Sequence, residues 1–326
     1  MSAAPVRLGW WLSSEEHDPR DLVRHARDAE RAGFRTAMIS DHLRPWVPSQ
    51  ANAAHVWTVV GAIAGATDAM EVGTGVTAMV HRSSPVAIAH AAATAAVMFD
   101  GRFFLGVGTG ERLNEQAFGS RWPRAGERRE RLAEGVGLIR KLCAGENVNH
   151  RGSHWAVENL RLATLPATPP RILVAAGGQR SAALAGEIGD GMIGVAPDGR
   201  LVDVFRSVST RDEAPVVGQL HLSIAADLDA ARDNAWRWWP NGVVPPKLLG
   251  ELAQPDEFEA VAEAIGPPGI DKAVLCTTDA APVIAAVDRF VGAGFDTVYL
   301  HQVGPDQARL AALASNELFA HYASPP

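Results

Sequence analysis

The sequence predicts a closed (β/α)8 barrel, an α/β fold of the TIM type. Strand-like apolar runs alternate with helical patterns from one end of the chain to the other, and there are eight such runs. Polar residues follow several of these runs directly. Repeated βα units with apolar strands are typical of a parallel sheet covered by helices, and eight units fit closure into a barrel better than an open doubly wound sheet.

Each element follows from its own pattern. The first helix shows the pattern used for all of them. Leu22, Ala26 and Ala29 recur at helical spacing and give it an apolar face. The strands are predicted at residues 6–12, 36–40, 71–78, 102–107, 171–176, 191–195, 221–226 and 297–301. The helices are predicted at residues 21–33, 56–66, 85–99, 128–142, 181–188 and 307–322.

Two stretches interrupt the alternation. Residues 147–168 are polar and contain several prolines, which indicates a long loop or a small hairpin. Residues 227–271 are rich in tryptophan and proline and are predicted to be an insertion at the C-terminal face, a possible wall or lid over a pocket. We expect residues 1–326 to form a single domain, since one barrel commonly has this length.

Composition narrows the class of protein. Of 326 residues, 47% are hydrophobic and 21% charged, the balance of an ordinary globular protein. The formal net charge of −7 gives no reason to expect nucleic acid or an anionic membrane as a partner. No signal-peptide pattern or membrane-spanning run is seen. Cys143 and Cys276 lack metal-ligand spacing and are predicted to be buried thiols in a reducing compartment, so we expect a cytoplasmic protein without a metal site.

The second predicted strand ends in Ser40-Asp41-His42 and is followed by Pro45-Trp46. Active sites of (β/α)8 barrels lie at the carboxyl ends of the strands, and histidine has its ordinary pKa nearest working pH. His42 is therefore a candidate general base or hydrogen-bond partner, with Trp46 as a pocket wall. The competing interpretation is a structural histidine beside an aspartate that caps the next turn.

A second strand end delivers a carboxylate. The segment 103–111 is an apolar strand followed by a glycine-rich turn that ends in Glu111. A carboxyl group beside an apolar pocket has a raised pKa, which suits a proton donor. The alternative is a glycine-rich turn with Glu111 in the first turn of a helix, where the dipole favours it. Together with His42, this acid/base pair is the strongest functional indication in the chain.

Other candidates concern ligand binding. The segment 175–180 follows a strand and opens a helix, so exposed backbone N–H groups there predict a phosphate site, although small residues can also serve only the turn. Gly73 and Gly75 indicate either a ligand pressed against backbone or a barrel corner. Lys247 and Lys272 are candidates for an anionic substrate, although a single lysine is more often a solvated surface charge.

These segments together resemble the luciferase-like (β/α)8 superfamily, and within it the coenzyme F420-dependent glucose-6-phosphate dehydrogenase family. The resemblance runs in order from the first strand to the sixth. It is carried by Leu8-Gly9, Ser14-Glu15, Ser40-Asp41-His42 with Pro45-Trp46, Gly73-Thr74 with Val76, residues 104–111 with 113–115, Ala175-Ala176-Gly177-Gly178 and Gly189-Asp190-Gly191.

The resemblance implies an oxidoreductase that transfers a hydride between an alcohol or sugar carbon and the deazaflavin F420. It gives His42, Trp46, Glu111 and Glu15 to the reacting side, with Glu111 as proton donor to the cofactor ring. It implies that a cis peptide bond between Gly75 and Val76 supports the cofactor ring. The other cofactor-binding residues that it implies are Asp41, Thr109, Asn114, Ala175, Ala176, Gly177 and Gly178. Lys247 and Lys272 would contact the substrate, and relatives suggest a homodimer.

One departure from the family pattern bears on the substrate. After the sixth strand the family has a threonine and a lysine that hold a sugar phosphate, whereas this chain has Gly194-Val195-Ala196-Pro197-Asp198. Asp198 would repel a phosphate. We therefore expect the cofactor to carry over better than glucose 6-phosphate itself. The alternatives are an FMN-dependent luciferase-like monooxygenase and a barrel that binds the cofactor without turnover.

Overall fold

The structure, a computed structural model, describes residues 6–323. The strands are β1 (Arg7–Leu12), β2 (Thr36–Ile39), β3 (Glu71–Thr74), β4 (Thr77–Ala78), β5 (Phe103–Gly108), β6 (Val148–Arg151), β7 (Ala156–Leu160), β8 (Arg171–Ala175), β9 (Gly191–Gly194), β10 (Val216–Ile224), β11 (Leu275–Thr277) and β12 (Thr297–Gln302).

The helices lie between these strands. They are α1 (Pro19–Ala32), α2 (Val56–Ala64), α3 (Pro85–Met98), α4 (Arg112–Glu115), α5 (Ala125–Cys143), α6 (Gln179–Ile188), α7 (Gly199–Val208), α8 (Leu228–Trp238), α9 (Pro246–Leu249), α10 (Pro255–Ile265), α11 (Ala280–Gly292), α12 (Gln307–Leu313) and α13 (Phe319–Ala323). Short 3₁₀ turns occupy Pro48–Gln50, Gln116–Phe118, Pro240–Val243 and Pro267–Lys272, and a π-turn spans Ala314–Leu318.

Eight of the strands close into a parallel barrel, which confirms the predicted fold class. Neighbours pair in the order β1-β2-β3-β5-β8-β9-β10-β12, and β12 pairs back with β1. The short strands β4 and β11 extend the sheet beside β5 and β10. Strands β6 and β7 form an antiparallel hairpin outside the barrel. The sequence predicted either a long loop or a small hairpin for this segment, and the structure shows the hairpin.

The seventh barrel strand differs most from its prediction. β10 begins at Val216, whereas the strand was predicted from residue 221. The first residues were missed in the sequence because Gly218 and Gln219 interrupt the apolar pattern there. Helices α7 and α11 were not predicted, and they complete the βα alternation. The predicted insertion at residues 227–271 is largely helical, since it contains α8, α9 and α10.

The first βα unit shows how local sequence sets these elements. Asp18 accepts a hydrogen bond from the backbone N–H of Arg20 at 2.9 Å, and Pro19 follows as the first helical residue of α1. The helix ends at Gly33, whose φ of 116° belongs to the left-handed region that glycine favours. This unit returns the chain to β2, whose end carries His42.

The core has two main parts. The larger cluster lies between the sheet and the surrounding helices. The smaller cluster fills the inside of the barrel with Trp11, Met38, Phe104, Leu173, Ile193, Val217 and Tyr299, and Val76 and Ala175 pack against it. Gly73 is required here, because a Cβ at this position would lie 2.1 Å from the Phe104 ring. The barrel is therefore packed inside by these side chains.

Both cysteines are free thiols. Cys143 is buried as predicted, whereas Cys276 is partly exposed, which corrects the expectation for that residue. Within residues 6–323 no helix is long and apolar enough to cross a membrane. The same residues contain no cluster of three or more histidine, cysteine or acidic side chains that could hold a metal ion.

Candidate active site

A cavity of about 580 Å³ opens at the carboxyl ends of the barrel strands. Its volume falls within the range typical of cofactor and substrate pockets. The residues predicted from sequence that line it are Glu15, Asp41, His42, Trp46, Gly75, Val76, Thr109, Glu111, Asn114, Ala175, Ala176, Gly177 and Lys272. Gly178 and Lys247 were also predicted at the site but do not line the cavity.

His42 follows β2 and lies between two carboxyl groups. Its Nε2 is 3.5 Å from Oε1 of Glu15 and 3.5 Å from Oε2 of Glu111. On the other side of the ring, Nδ1 is 3.2 Å from the carbonyl oxygen of Arg44 and 3.3 Å from Nδ2 of Asn114. The imidazole can therefore exchange a proton on its cavity side while its Nδ1 side is held by the protein.

Glu15 is held in place by hydroxyl groups. Its Oε2 accepts hydrogen bonds from Ser13 at 3.1 Å, from Ser14 at 3.4 Å and from the Ser40 hydroxyl. Glu15 is 1% exposed, and a buried polar group of this kind is stable in the interior only when it is hydrogen-bonded. The serines thus fix one carboxyl oxygen and leave the other beside His42.

Glu111 has the environment of a proton donor. Burial raises the pKa of its carboxyl group above the ordinary value, the charge of Glu15 adds to this effect, and His42 and Asn114 oppose it. Its side chain keeps 35% of its surface exposed, and the residue lines the cavity. Glu111 therefore retains a proton to higher pH than an ordinary glutamate.

Asn114 connects the two strand ends. Its Nδ2 donates to Oε2 of Glu111 at 3.0 Å, and its Oδ1 accepts from the backbone N–H groups of Leu43 at 2.9 Å and Arg44 at 3.3 Å. The residue is buried, so these bonds are shielded from water. Asn114 thereby sets the position of Glu111 relative to the loop that carries His42.

Asp41 belongs to a buried ion pair. Oδ1 of Asp41 lies 2.8 Å from the guanidinium of Arg82, and its Oδ2 accepts from the Thr77 hydroxyl at 2.7 Å. The backbone N–H groups of His81 and Arg82 donate to the buried carboxylate of Glu115 at 2.7 and 2.9 Å. These bonds fix the loop that follows β4 to Asp41 and Glu115.

The floor of the cavity is apolar and closely packed. The Gly75–Val76 peptide bond is cis, as the resemblance implies. Val76 and Ala175 rest on the barrel's inner cluster beside Ile193. A Cβ at Gly108 would lie 2.6 Å from Cγ2 of Val76, so only glycine leaves room there. A flat ring can lie on this floor.

A polar cradle adjoins that floor. Ala175, Ala176 and Gly177 follow β8 and line the cavity, and α6 begins at Gln179 without a side-chain cap. No described atom lies within 4 Å of the position that a Cβ would take at Gly177 or Gly178. The N–H groups at the start of α6 are thus open to an anionic group.

The structure adds cavity residues that the sequence did not single out. They include Trp11, Arg82, Gln219, His221 and Trp239. His221 was not among the residues predicted at the site. A residue near the carboxyl end of a barrel strand is a candidate site residue, and His221 has such a position in β10. The predicted strand began at residue 221, so the prediction placed His221 at the opposite end of the strand.

Lys247 and Asp198 bear on the substrate end. Lys247 belongs to the short helix α9, whose neighbouring residues Pro246 and Leu249 line the cavity instead. Asp198 caps α7 and pairs with Arg200 at 2.9 Å. Lys272 is therefore the predicted basic residue that reaches the cavity.

Comparison with known proteins agrees with this geometry. Residues 1–297 match the family described as luciferase-like monooxygenase. The chain is 34% identical to the F420-dependent glucose-6-phosphate dehydrogenase of Intrasporangium calvum, covering 93% of this chain and 95% of the relative. It is 37% identical to the F420-dependent hydroxymycolic acid dehydrogenase of Mycobacterium tuberculosis, covering 79% and 72%.

A solved structure is similar along almost the whole chain. It is an F420-dependent secondary alcohol dehydrogenase in complex with an F420-acetone adduct, with a TM-score of 0.89 and 25% identity over 95% of this chain and 97% of that one. The order of strands and these relatives agree. The chain therefore belongs to the luciferase-like family, in the branch that contains the F420-dependent glucose-6-phosphate dehydrogenases.

Proposed function

We propose that this protein is an F420-dependent dehydrogenase that removes a hydride from an alcohol or sugar carbon. The observation that carries the proposal is the meeting of His42, Glu15 and Glu111 at one cavity, in a barrel whose relatives are F420-dependent dehydrogenases. Carboxyl and imidazole groups in different environments supply an acid and a base. The FMN-dependent alternative is less well supported, because the similar dehydrogenases carry F420 in their names.

The residues present fit coenzyme F420. The apolar floor of Val76, Ala175 and Ile193 suits a flat ring, and the uncapped N-terminus of α6 beside Gly177 suits a phosphate group. When bound, F420 supplies a hydride acceptor. Asp41, Thr109 and Asn114 would complete its binding site, since all three line the same cavity.

The chain's own residues supply the proton chemistry. Loss of the hydroxyl proton makes hydride removal from an alcohol carbon easier, so the site needs a group that accepts or orients that proton. His42 is placed for this role, with Glu15 fixed behind it. Glu111 lines the cavity and has a raised pKa, so it is the acid of the pair. Trp46 packs 4.7 Å from the His42 ring and forms a wall that excludes water.

The substrate pocket favours an alcohol without a tightly held phosphate. Lys272 is the basic side chain that reaches the cavity at this end, and Lys247 does not line it. Val195 and Ala196 line the cavity after β9, and 64% of Val195 is exposed. The pocket would thus place less positive charge around a substrate phosphate than the family pattern does. This supports a simple alcohol or an unphosphorylated sugar as the substrate.

Further parts of the proposal concern organisation. We propose that residues 227–271 act as a lid, since Trp239, Gly242, Pro246 and Leu249 from this segment line the cavity. A single-domain, cytoplasmic homodimer without nucleic-acid partners is supported by the family resemblance, the free thiols and the net charge of −7. Light scattering on the purified chain tests the oligomeric state.

Two measurements test the proposed function. Equilibrium titration of the purified protein with F420 and, separately, with FMN should show binding of F420. Absorbance of oxidised F420 should then fall with at least one member of a panel that contains 2-propanol, glucose and glucose 6-phosphate. Tight binding of FMN without binding of F420 would contradict the proposal, and F420 binding without turnover of any alcohol would indicate a carrier instead.

A further inference from the structure

A second line of titratable side chains reaches the same cavity from strands β10 and β12. Oε2 of Glu16 lies 2.6 Å from Nε2 of His301, and Nδ1 of His301 lies 2.7 Å from Nδ1 of His221. His221 lines the cavity. The three side chains thus form a continuous hydrogen-bonded path from a buried carboxyl group to the reacting space.

The path is sealed from water except at its cavity end. Glu16 is 6% exposed and His301 is 1% exposed, whereas His221 keeps some exposed surface. The Trp239 ring packs against both imidazoles, with its centroid 5.0 Å from that of His221 and 4.6 Å from that of His301. Such a buried polar network is retained only where its members satisfy one another.

With His301 neutral, the hydrogen bonds assign the proton to one nitrogen of each imidazole ring. Oε1 of Glu16 accepts from the backbone N–H of Gly304 at 2.8 Å, so the carboxylate is free to accept from Nε2–H of His301 at its other oxygen. A neutral His301 then has a bare Nδ1, which accepts from Nδ1–H of His221. Among residues 6–323 nothing bonds to Nε2 of His221, and this atom is not buried.

We propose that Glu16, His301 and His221 form a proton relay whose cavity end, Nε2 of His221, takes the hydroxyl proton of the alcohol. The inference rests on the proposed function and assigns its base. The O–H bond breaks, and the proton binds Nε2 of His221. The proton on Nδ1 of His221 moves to Nδ1 of His301, and the alcohol carbon releases its hydride to F420 as the C=O bond forms.

The charges along the path favour this direction of transfer. Burial, with the nearby His301, holds the pKa of His221 well below its ordinary value, so the ring starts neutral. Burial raises the pKa of Glu16, but His301, His17 and the Gly304 N–H together lower it further, so the carboxylate persists. A proton passed to His301 therefore lies beside a negative charge instead of remaining on an isolated ring.

The surrounding ionisable groups come from one segment. Glu15, Glu16 and His17 follow β1, and Asp21 lies in the first turn of α1 near His17. Burial lowers the pKa of His17, so this ring carries less positive charge beside the path than an ordinary histidine does. Trp11 and Trp239 contribute only uncharged surface beside His301. In this arrangement His42 orients the hydroxyl group and His221 accepts its proton.

Glu16→Gln is the decisive variant. A glutamine that accepts from Gly304 directs its amide N–H at Nε2 of His301, which moves the His301 proton to Nδ1 and places a proton on Nε2 of His221. We expect ¹⁵N NMR of histidine-labelled protein without cofactor to show Nε2 of His221 unprotonated in the wild type at neutral pH and protonated in the variant. Unchanged histidine nitrogen shifts would overturn the relay.

Kinetics test the role of the relay in turnover. Glu16→Gln and His221→Gln should each lower kcat by about 10²- to 10⁴-fold and change its pH profile, with a much smaller change in KM. His221→Gln serves where Glu16→Gln fails to fold, because His221 lies at the open end. Glu134→Gln is the control and should leave kcat unchanged. It removes a charge from the pair that Glu134 of α5 forms, at 2.9 Å, with His150 of the outer hairpin.

The outcomes separate the two hypotheses. Wild-type kcat and pH profile in both relay variants would overturn the assignment of the base, even if the nitrogen shifts follow the expectation. A wild-type protein that reduces no F420 with any alcohol would contradict the proposed function. In that case the protonation of His221 in the cofactor-free protein still decides whether the relay exists.

Discussion

Nε2 of His42 lies 3.5 Å from Oε2 of Glu111, and the two residues follow different barrel strands, β2 and β5. Asn114 sets this relationship, because it bonds to Glu111 with its amide N–H and to the His42 loop with its oxygen. An imidazole and a carboxyl group held at this separation can each face a ligand in the cavity.

Glu111→Gln should abolish the acid function without removing the side chain's volume. We expect kcat with F420 and an active alcohol to fall by about 10²- to 10⁴-fold, the usual contribution of a general acid. Titration with F420 should give a similar Kd. Glu263→Gln, a change at an exposed carboxyl group on α10, is the matched control and should keep full activity. A Glu111→Gln enzyme with normal turnover would exclude this carboxyl group as the acid.

The stability of the protein should depend on the ionisation of Glu111. Burial raises its pKa in the folded chain, so the native state binds this proton more tightly than the unfolded state does. The contribution of Glu111 is therefore most favourable at low pH and is lost as pH rises from the ordinary glutamate range through the raised pKa. Thermal unfolding should show Glu111→Gln gaining in Tm relative to the wild type as pH rises. A constant difference across that range would contradict the raised pKa.

Asp41→Asn should destabilise the fold strongly. The Asp41–Arg82 pair has 5% and 14% of its side-chain surface exposed, so removing one charge leaves the other buried without a partner. Such losses cost about 3–5 kcal/mol in the free energy of unfolding. Asp229→Asn breaks the pair with Arg232 at 3.5 Å, in which Asp229 is 94% exposed, and should cost at most about 1 kcal/mol. Urea unfolding of both variants measures the contrast, and equal losses would refute it.

Lys272→Ala should affect only substrates that carry negative charge. Lys272 reaches the cavity and Lys247 does not line it. If glucose 6-phosphate is turned over, loss of a charged hydrogen bond should raise its KM by about ten- to a hundredfold, with little effect on an uncharged alcohol. Lys247→Ala is the control and should leave KM unchanged for both. A larger effect from Lys247→Ala would mean that α9 moves over the substrate.

Much of this protein was readable in its local patterns. The alternation of apolar runs and helical faces is a local signal, and it predicted the barrel and the strand ends that carry His42 and Glu111. The family resemblance pointed to the cis peptide at Gly75-Val76 and to F420. Apolar periodicity and family motifs both reside in short segments. They can therefore be recognised without knowing which segments distant in sequence are in contact.

Tertiary structure decided which further side chains share the cavity. Glu16 and His301 are distant in sequence and carry no motif, yet pairing of β1 with β12 and of β12 with β10 brings them into line with His221. The same closure admits Lys272 to the cavity but not Lys247. The physical reason is that periodicity fixes which face of a strand is buried, whereas contacts across a closed sheet depend on register and on packing between segments far apart in the chain.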